Sequence, residues 1–514
     1  MKYLLNAKQM KSIDTFSIEQ IGIPSLVLME RAALAVTESV LRDIKSMPAH
    51  EKSKVLCICG RGNNGADGLC IARQLTEHGI NAEVLIAGDV DKTGTEEYEH
   101  QKKILRNIGV VFRNKADFSE YNFIIDAIFG IGLSRAVEGE YAKLIGQINQ
   151  IREKHPGMKV VAVDIPSGIS ADNGVAMGIA VKADETITFG YDKIGLVKYP
   201  GAAYAGRIQT AQIGFAGAAI TQLDSPAVYY TRQDLQKIPD REQDSNKGTY
   251  GKVLLIAGSE SMAGAACLSA RACYRTGCGL VKVLTHEINR NVVMSAVPEA
   301  ITDVYTGQED QEQLADLIQK NMDWASVIIL GPGIGMSHYS YDIVKTVLET
   351  GKKGGTKKPL ILDADALNLV SSSKELMDLI PYANVILTPH MGEMSRLTGK
   401  SIAQLKLNTK EEAESLARKT SGVCVLKDAV TVVSDGKQAY YNRSGNSGMS
   451  TAGCGDVLTG VIAGMLCTGM NPYESACMGV YVHGLAGDQA ADESSAYAMT
   501  ASDIIESLKQ VLSK

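Results

Sequence analysis

Alternating apolar and polar segments in the first half of the chain predict repeated strand and helix units. Residues 13–40 have the spacing of two amphipathic helices, interrupted at Gly22-Ile23-Pro24. Short apolar runs of strand length follow, most of them separated by helical stretches. These runs are Val55–Cys59, Ala82–Ala87, Phe123–Ala127 and Val160–Val163. Repeated βα units indicate a parallel sheet covered on both faces, with ligands bound at the carboxyl ends of its strands.

A polar, proline-containing stretch near residues 214–244 separates this pattern from a second βα series. The second series begins with the apolar run Val253–Ala257 and ends with three helical patterns between Gly455 and Leu512. The strand-like runs between them are Val327–Leu330, Leu360–Leu362, Val385–Leu387 and Val423–Leu426. The two series do not repeat one another, so we expect two different α/β domains, residues 1–220 and 226–514.

Composition and charge narrow the class of protein. The chain has 514 residues, of which 45% are hydrophobic and 21% are charged, and this balance is typical of globular proteins. The net charge of −6 and the lack of a basic stripe argue against a nucleic-acid partner. No signal peptide and no bilayer-length apolar segment are apparent, and the ten cysteines show no metal-type spacing. We therefore expect a cytoplasmic homo-oligomer without a membrane partner.

Candidate chemistry in the first domain lies where the predicted strands end. The Gly-rich segment Gly60–Gly68 follows one strand and precedes the helical stretch Leu69–Thr76. Backbone N–H groups of such a turn suit a phosphate, although a tight connector capped by Asn and Asp has the same pattern. Asp126 and Asp164 end two further strands. One such aspartate is usually a cap, but two beside a Gly-rich turn indicate a ligand site.

These segments resemble the NAD(P)H-hydrate epimerase family over residues 1–215. The matching motifs are Gly62–Gly68, Asp126–Gly130 and Asp164–Gly168, with Met29–Ala32, Thr188–Gly190, Lys193 and Gly195 in agreement. The resemblance implies a Rossmann-like three-layer α/β/α fold.

The resemblance also implies roles for particular residues. The dinucleotide would be bound by Asn63, Asn64, Gly65, Ala66 and Asp67. Further substrate contacts are implied at Gly130, Ile131, Gly132, Leu133, Ser134, Arg135, Ala136 and Asp164. A potassium site is implied at Asn64, Asp126 and Ser167.

The implied epimerisation needs a group that moves a proton. Hydration places a hydroxyl on C6 of the reduced nicotinamide ring, beside the ring nitrogen, and this hemiaminal hydroxyl can leave and return on either face. A carboxylate that shuttles the proton speeds the exchange. Asp164 is the candidate catalytic residue, with Lys193 as a weaker partner. A solvated surface lysine would equally explain Lys193.

The second domain carries a Gly-rich segment, Gly445–Gly460, that opens a helix with Asp456 in its first turn. Converging backbone amides and the helix dipole suit an anion, and an aspartate at the rim could take a proton from a substrate hydroxyl. This is the arrangement that phosphoryl transfer needs. The alternative is that Asp456 only caps the helix.

This segment resembles the Gly-Ala-Gly-Asp anion hole of ribokinase-like kinases, which implies a ribokinase-like α/β fold. Residues 226–514 as a whole resemble the ADP-dependent NAD(P)H-hydrate dehydratase family. The supporting motifs, in order, are Gly248–Val253, Gly331–Gly335, Asp363–Asn368 and Thr388–Met394.

The resemblance to the dehydratase family also implies which residues contact the substrate and the nucleotide. Hydrated NAD(P)H would contact Ala265, Gly335, His390 and Asp456, with Asp456 as the catalytic base. AMP would contact Lys427, Asp428, Ala429, Val430, Thr431, Gly453 and Gly455. Asp363 and Asp365 either organise Mg²⁺ and phosphate through water or cap a turn. Cys454 departs from the motif and adds an oxidisable thiol to the anion hole.

Together the resemblances imply a bifunctional enzyme that repairs hydrated NADH and NADPH. The first domain would interconvert the R and S epimers, and the second would dehydrate the S epimer while converting ADP to AMP and phosphate. The use of ADP rather than ATP is implied only by prokaryotic members. The alternative is a ribokinase-like kinase of a small alcohol or vitamin precursor, with an N-terminal module that binds a nucleotide or a protein.

Overall fold

The computed structural model describes residues 1–47, 53–88, 92–353, 358–380 and 384–513. The chain divides into two compact units, Tyr3–Pro226 and Ala227–Lys514, with Met1–Lys2 belonging to the second. We call these the N-terminal unit and the C-terminal unit.

The N-terminal unit is built on a parallel seven-stranded sheet, ordered β4-β3-β2-β5-β6-β7-β9. Its elements in chain order are β1 (Lys2–Leu5), α1 (Ala7–Thr15), α2 (Ser25–Ser46), β2 (Lys54–Cys59), α3 (Asn63–Glu77), β3 (Asn81–Ile86), α4 (Glu96–Asn107), β4 (Val111–Arg113), β5 (Phe123–Ala127), α5 (Gly139–Lys154), β6 (Lys159–Val163), β7 (Glu185–Phe189), β8 (Asp192–Lys193), α6 (Ile194–Val197), α7 (Gly201–Ala205) and β9 (Arg207–Ala211). β1 and β8 pair in parallel and do not belong to the seven-stranded sheet.

Strand β2 shows why both faces of this sheet are covered. Val55, Cys57 and Cys59 are buried in one hydrophobic cluster, whereas Leu56 and Ile58 are buried in another. Successive side chains of a strand point to opposite faces, so an uninterrupted apolar run predicts a sheet with packed layers on both sides. Cys57 and Cys59 are thus core thiols.

The C-terminal unit has a second, larger sheet, with strand order β13-β12-β11-β14-β15-β16-β17-β18-β19-β10. Its elements are β10 (Ala227–Tyr229), β11 (Lys252–Ile256), α8 (Ala263–Arg275), β12 (Leu280–His286), α9 (Arg290–Ala296), β13 (Ile301–Tyr305), α10 (Gln311–Trp324), β14 (Val327–Leu330), α11 (His338–Lys353), β15 (Leu360–Leu362), α12 (Ala364–Ser372), α13 (Lys374–Leu379), β16 (Val385–Leu387), α14 (Met391–Thr398), α15 (Ile402–Leu407), α16 (Thr409–Thr420), β17 (Val423–Leu426), β18 (Val432–Ser434), β19 (Ala439–Tyr441), α17 (Cys454–Cys467), α18 (Pro472–Glu493) and α19 (Ala501–Val511).

The C-terminal sheet is parallel from β13 to β17, and β17, β18 and β19 then run antiparallel to one another. Helix α17 lies in the core, in contact with α8 and α18. A Cβ atom at Gly460 would lie 2.3 Å from the carbonyl oxygen of Ser269, so glycine permits the close approach of α17 to α8.

The predicted α/β fold class is confirmed, and the strand runs named above fall within one residue of the observed strands. One prediction is wrong in detail. Helix α3 begins at Asn63, so residues 63–67 form its first turn and not a turn preceding a helix at Leu69. Of the helices that the structure describes, none is both long and apolar enough to cross a bilayer.

Candidate functional sites

In the N-terminal unit, Asp164 lies directly after β6, at the carboxyl edge of the sheet. Its backbone adopts the left-handed region, with φ of +67°, which is costly for a residue other than glycine. The side-chain oxygen Oδ1 accepts hydrogen bonds from the Thr188 hydroxyl at 3.1 Å and the Phe189 N–H at 3.0 Å. The end of β7 therefore holds this carboxylate in one orientation at the edge where ligands bind.

Lys193 is completely buried and is the ionic partner of Asp164. Its Nζ atom donates to Asp164 Oδ1 at 2.5 Å, to the Thr188 hydroxyl at 2.8 Å and to the Phe189 carbonyl at 2.9 Å. An ammonium group has three donors, and all three are used. The alternative interpretation of Lys193 as a solvated surface lysine is therefore wrong.

Asp126, at the end of β5, is fully buried together with Ser167. The Ser167 hydroxyl and N–H donate to the carboxylate at 2.5 Å and 2.8 Å. Burial nevertheless raises the pKa of Asp126 to about 6, because hydrogen bonds compensate only part of the desolvation cost. The Phe129 carbonyl oxygen lies 3.2 Å from the Ser167 hydroxyl. Carboxylate, hydroxyl and carbonyl oxygens thus converge at this point.

Asn64, in the first turn of α3, lies beside the loop that follows β5. Its buried amide nitrogen Nδ2 has no hydrogen-bond partner among the described residues. A Cβ atom at Gly130 would be 3.2 Å from the Asn64 Cβ atom, so the side chain packs directly on the start of that loop. The loop continues through residues 131–136, most of which are exposed.

The start of α3 lies close against the strand ends. A Cβ atom at Gly65 would lie 2.0 Å from the Gly60 carbonyl oxygen, so this position admits only glycine. Gly62 and Asn63 are exposed, which leaves the first amides of the helix accessible to an anion. Burial, and then the nearby carboxylates of Asp164 and Asp14, raise the pKa of Asp67 well above its usual range.

In the C-terminal unit, Asp363 connects three segments of the sequence-predicted site. One carboxylate oxygen accepts from Lys427 Nζ at 2.8 Å and from the Thr388 hydroxyl at 2.7 Å. The other oxygen accepts from the Thr459 hydroxyl of α17 at 2.8 Å. Although burial raises the pKa of Asp363, Lys427 and these hydrogen bonds lower it overall. Ala364, the next residue, has a left-handed φ of +49°.

Lys427 lies beneath the start of α17, at the beginning of the turn that joins β17 to β18. Its Nζ atom would be 3.5 Å from a Cβ atom at Gly455, so the ammonium group lies beside the glycine-rich turn. Burial by itself lowers the pKa of Lys427, but Asp363 and Glu393 raise it overall. A charged lysine therefore faces the same space as the helix N-terminus. This combination of positive charge and free amides suits an anion.

Asp456 lies in the first turn of α17, which Gly453 begins with a left-handed φ of +89°. Burial, and then the Asp363 carboxylate, raise the pKa of Asp456 to about 7, although Lys427 acts in the opposite direction. Its main-chain carbonyl, in contrast, accepts from the Ser269 hydroxyl at 2.9 Å. A carboxyl group with a pKa near neutrality suits general-base catalysis.

His390 is the N-cap of α14, and its side chain is half-exposed. The ring atom Nδ1 accepts from the Gly392 N–H at 2.9 Å, and Nε2 lies 3.3 Å from a carboxylate oxygen of Glu393. Burial, and then Lys427, lower the pKa of His390, which keeps the ring neutral at physiological pH. Burial raises the pKa of Glu393 to about 7. The Lys427 N–H donates to the Pro389 carbonyl at 2.8 Å, which places this cap beside the lysine.

The remaining predicted contacts lie on the loop after β14 and the helix that faces it. A Cβ atom at Gly333 would be 2.9 Å from the Ala265 Cβ atom, so α8 touches this loop. The Gly335 N–H donates to one oxygen of Asp365 at 2.9 Å. Asp363 is the N-cap residue of α12, but its side chain makes no cap hydrogen bond. The alternative that Asp363 simply caps a turn is therefore wrong.

Comparison with known proteins identifies the family. Residues 253–510 match the NAD(P)H-hydrate dehydratase family, and residues 25–195 match the family of YjeF-related protein N-termini. The bifunctional NAD(P)H-hydrate repair enzyme of Moorella thermoacetica is 36% identical over 99% of this chain and 96% of its own length. The bifunctional enzyme of Escherichia coli is 33% identical over 89% of this chain and 84% of its own length.

This chain belongs to the bifunctional NAD(P)H-hydrate repair enzyme family. A solved ADP/ATP-dependent NAD(P)H-hydrate dehydratase from Bacillus subtilis is 30% identical, with a TM-score of 0.47. That similarity covers 55% of this chain and 97% of the Bacillus chain.

Sequence reasoning missed several polar residues of the repair-enzyme sites. The Thr188 hydroxyl donates a hydrogen bond to Asp164, and the Thr388 and Thr459 hydroxyls donate to Asp363. All three lie within motifs quoted from the sequence, but a threonine in a buried strand or helix has the same sequence signal as a core residue, so no role was assigned to them. Glu393 could have been identified from the sequence, because a carboxylate three residues after a helix cap is a capping-box signal.

Proposed function

We propose that this protein repairs hydrated NADH and NADPH, with an epimerase in the N-terminal unit and a nucleotide-dependent dehydratase in the C-terminal unit. The named activities of the bifunctional relatives and the dehydratase family match support this assignment. The observation that carries it is that Asp456, whose pKa is about 7, and the Lys427 ammonium group lie at the same helix N-terminus. A base and an anion site at one place are what transfer of a phosphoryl group to a hydroxyl requires.

The dehydratase reaction begins at Asp456. The ionised carboxylate takes the proton of the C6 hydroxyl of the S epimer, and the oxygen attacks the terminal phosphoryl group of ADP. AMP leaves, and the hydroxyl has become a phosphate ester, which is a far better leaving group than hydroxide. The ring nitrogen then expels phosphate, and loss of the C5 proton restores the reduced nicotinamide ring.

Lys427 and the amides of α17 would stabilise the charge that develops on the phosphoryl oxygens. Asp363 holds the lysine in place through an ion pair, in which Lys427 Nζ is 2.8 Å from a carboxylate oxygen. The turn formed by residues 427–431, together with Gly453 and Gly455, is our proposed AMP site. Ala265, Gly335 and His390 would contact the hydrated dinucleotide, and His390 lies next to this turn, because the Lys427 N–H donates to the carbonyl of Pro389.

In the epimerase site, Asp164 is the group that we propose to shuttle the C6 hydroxyl proton. Lys193 is a positioning residue, since its three hydrogen bonds are all made inside the protein. Burial raises the pKa of Asp67 well above its usual range, which favours the protonated carboxyl group, and in that form it would donate a hydrogen bond to the dinucleotide and not repel its phosphates. Asn63 to Ala66 would supply helix amides, and the loop of residues 130–136 would cover the substrate.

A monovalent cation fits beside Asp126. The site offers a buried carboxylate, a serine hydroxyl and a carbonyl oxygen, with the Asn64 amide close to the same loop. No cluster of three histidine, cysteine or acidic side chains suited to a divalent metal occurs in the described part of the chain. We therefore propose that Asn64, Asp126 and Ser167 hold K⁺, which would neutralise the buried carboxylate.

Mg²⁺ in the C-terminal unit would be held mainly by the nucleotide phosphates and water, as this ion commonly is. Asp363 is the poorer ligand, because its two oxygens already accept three hydrogen bonds and one of the donors, the Lys427 ammonium, would repel a cation. Asp365 keeps one oxygen that the Gly335 N–H does not engage, so it is the better candidate. When bound, the ion would neutralise phosphate charge during transfer.

The proposal is tested by incubating the protein with hydrated NADH or NADPH and either ADP or ATP. Recovery of the reduced-nicotinamide absorbance, with release of phosphate and AMP from ADP, is the expected result. Consumption of nucleotide only with a small alcohol, and none with the hydrated dinucleotide, would favour the kinase alternative. A mixture enriched in the R epimer tests the N-terminal unit, which should accelerate its conversion beyond the spontaneous rate.

We also propose that the protein functions in the cytoplasm, as its ten unpaired cysteines favour a reducing compartment. Formation of a homo-oligomer stays a prediction, which light scattering on the purified protein would decide.

A further inference from the structure

Two cysteine sulfurs approach each other at the far end of helix α17. Cys467 is the last residue of that helix, and Cys278 lies in the turn between α8 and β12. Their Sγ atoms are 3.9 Å apart. The Cys278 thiol also lies 3.1 Å from the Leu280 carbonyl oxygen. This pair takes no part in the sites described above.

Cys467 lines a cavity of about 840 Å³ on the C-terminal unit. The walls include Met465, Tyr274, Leu512 and Arg241. Cys467 is half-buried, and Cys278 behind it is only 5% exposed. A small uncharged reagent that enters this cavity arrives at Cys467, within one sulfur–sulfur separation of 3.9 Å from Cys278, whereas a folded protein cannot enter.

We infer that Cys278 and Cys467 form a reversible oxidation site, at which a hydroperoxide converts the two thiols into a disulfide. The sulfurs need to close by about 2 Å to reach disulfide bonding distance. Cys467 ends helix α17 and Cys278 lies in a turn. Backbone and side chains shift more easily at such positions than in the middle of a strand or helix.

The chemistry assigns separate parts to the two thiols. The Cys467 S–H group donates toward Cys278, which lowers the pKa of Cys278 despite its burial. The same contact, together with burial, raises the pKa of Cys467. Because thiolates are the form that peroxides oxidise, Cys278 reacts first and Cys467 resolves the product.

The steps balance with the hydroperoxide as the only oxidant. The Cys278 thiolate attacks one peroxide oxygen, the O–O bond breaks, and the departing oxygen takes a proton and leaves as water or an alcohol. Cys278 is then a sulfenic acid. The Cys467 sulfur attacks it, the S–S bond forms, the S–O bond breaks, and water carries away the thiol proton. Two thiols are oxidised and one peroxide is reduced.

The test exposes the full-length protein to hydrogen peroxide and maps its peptides without reduction. The expected product is one cross-linked peptide pair containing residues 278 and 467, lighter by two hydrogen atoms and restored by dithiothreitol. The oxidised protein should also need more denaturant to unfold, since the cross-link closes a very long loop.

Serine variants separate the roles of the two sulfurs. In Cys467→Ser, Cys278 should stop at the sulfenic acid and be trapped by a 1,3-dione reagent. In Cys278→Ser, residue 467 should stay reduced under the same treatment. Cys477→Ser, a matched change at another buried cysteine, should keep the cross-link. Oxidised wild type without this cross-link, or a cross-link from Cys278 to Cys273 in its place, would overturn the inference.

Discussion

At the scale of single residues, the two carboxylates proposed to move protons, Asp164 and Asp456, lie in different environments. Lys193 and Asp164 form a direct ion pair, so the lysine is fixed by internal hydrogen bonds. For the carboxylate of Asp456, in contrast, the described part of the chain shows no hydrogen-bond donor that could offset its desolvation, and its pKa rises to about 7. A buried carboxyl group that is not compensated is available for catalysis, but it costs stability.

Replacement of Asp456 by asparagine should remove most dehydratase activity. Loss of a general base typically lowers the rate by about 10²–10⁴-fold, and we expect a decrease of that size in kcat. The measurement is recovery of reduced-nicotinamide absorbance from the purified S epimer. Asp503→Asn, at the start of α19, is a matched control that changes a first-turn aspartate outside the site. Near-normal turnover in Asp456→Asn would show that another group is the base.

The same substitution should stabilise the protein without ligands at neutral pH. The pKa of Asp456 rises from 3.8 to about 7 on folding, so the folded state holds this proton more tightly than the unfolded state. Stability from this group is present below pH 4 and is lost as pH rises toward 7. We expect Asp456→Asn to gain roughly 1–2 kcal/mol at pH 8, after allowance for partial exposure, and nothing at pH 4. Denaturant unfolding at the two pH values measures this difference.

Substitutions in the Asp164–Lys193 pair should stop epimerisation and leave dehydration of the S epimer intact. Asp164→Ala removes the proposed proton carrier, and Lys193→Met removes the group that orients it. Both variants are assayed with the R epimer alone, after subtraction of the spontaneous rate. Lys182→Met, which changes an exposed lysine paired with Glu153 at 3.2 Å, should behave as wild type. If Asp164→Ala kept the wild-type excess rate, Asp164 would have no part in the reaction.

At the scale of elements, the ligand edge of the N-terminal sheet is created by β5, β6 and the start of α3. Asp126 ends β5, Ser167 lies in the loop after β6, and Asn64 is in the first turn of α3, and none of the three alone would bind a cation. Glycines at positions 60 and 65 let α3 lie against the strand ends at a distance that any Cβ atom would prevent. The proposed cation site therefore depends on how these elements pack.

Potassium should stabilise the N-terminal unit through Asp126. We expect a higher unfolding midpoint in KCl than in LiCl at equal ionic strength, by about 2–4 °C for each kcal/mol of binding free energy. The effect should be present at pH 8 and fade below pH 6, as the carboxyl group, with a pKa of about 6, becomes protonated. Asp126→Asn should abolish it, whereas Asp117→Asn, at an exposed position, should not. A potassium effect that persists in Asp126→Asn would exclude this site.

At the scale of the whole molecule, each unit has its own sheet, its own core clusters and its own ligand edge. We predict that a chain cut near Asp224 gives two soluble fragments. The first should be an epimerase, and the second should dehydrate only the S epimer. The pair together should consume a mixed substrate as completely as the intact chain, because the intermediate diffuses freely.

The cut would also remove one ionic contact from the C-terminal fragment. The Met1 ammonium group pairs with the buried Asp234 at 2.5 Å, and the cut removes it from that fragment. Asp234 retains Lys237 at 3.0 Å and the Thr231 N–H at 2.8 Å, so we expect a loss of only about 1 kcal/mol. The prediction would be contradicted if the second fragment failed to fold. It would also be contradicted if part of the R epimer remained unconsumed with both fragments present.

The sequence by itself determined the two α/β series, the positions of most strands and the motifs at their ends. It could do so because strand burial is encoded locally, as in the uninterrupted apolar run of β2, and because glycine-rich turns before helices have a fixed physical use. The family resemblance added roles for Asp164 and Asp456 that composition and periodicity could not provide.

Only the tertiary structure decided which of these residues are partners and in what charge state. Lys193 is 29 residues from Asp164 and Lys427 is 64 residues from Asp363, and nothing local to a lysine distinguishes a buried ion pair from a solvated side chain. The high pKa of Asp456 and the approach of Cys278 to Cys467 likewise depend on elements that meet only in the fold. Desolvation and Coulomb interactions act through space, whereas a sequence pattern records only distance along the chain.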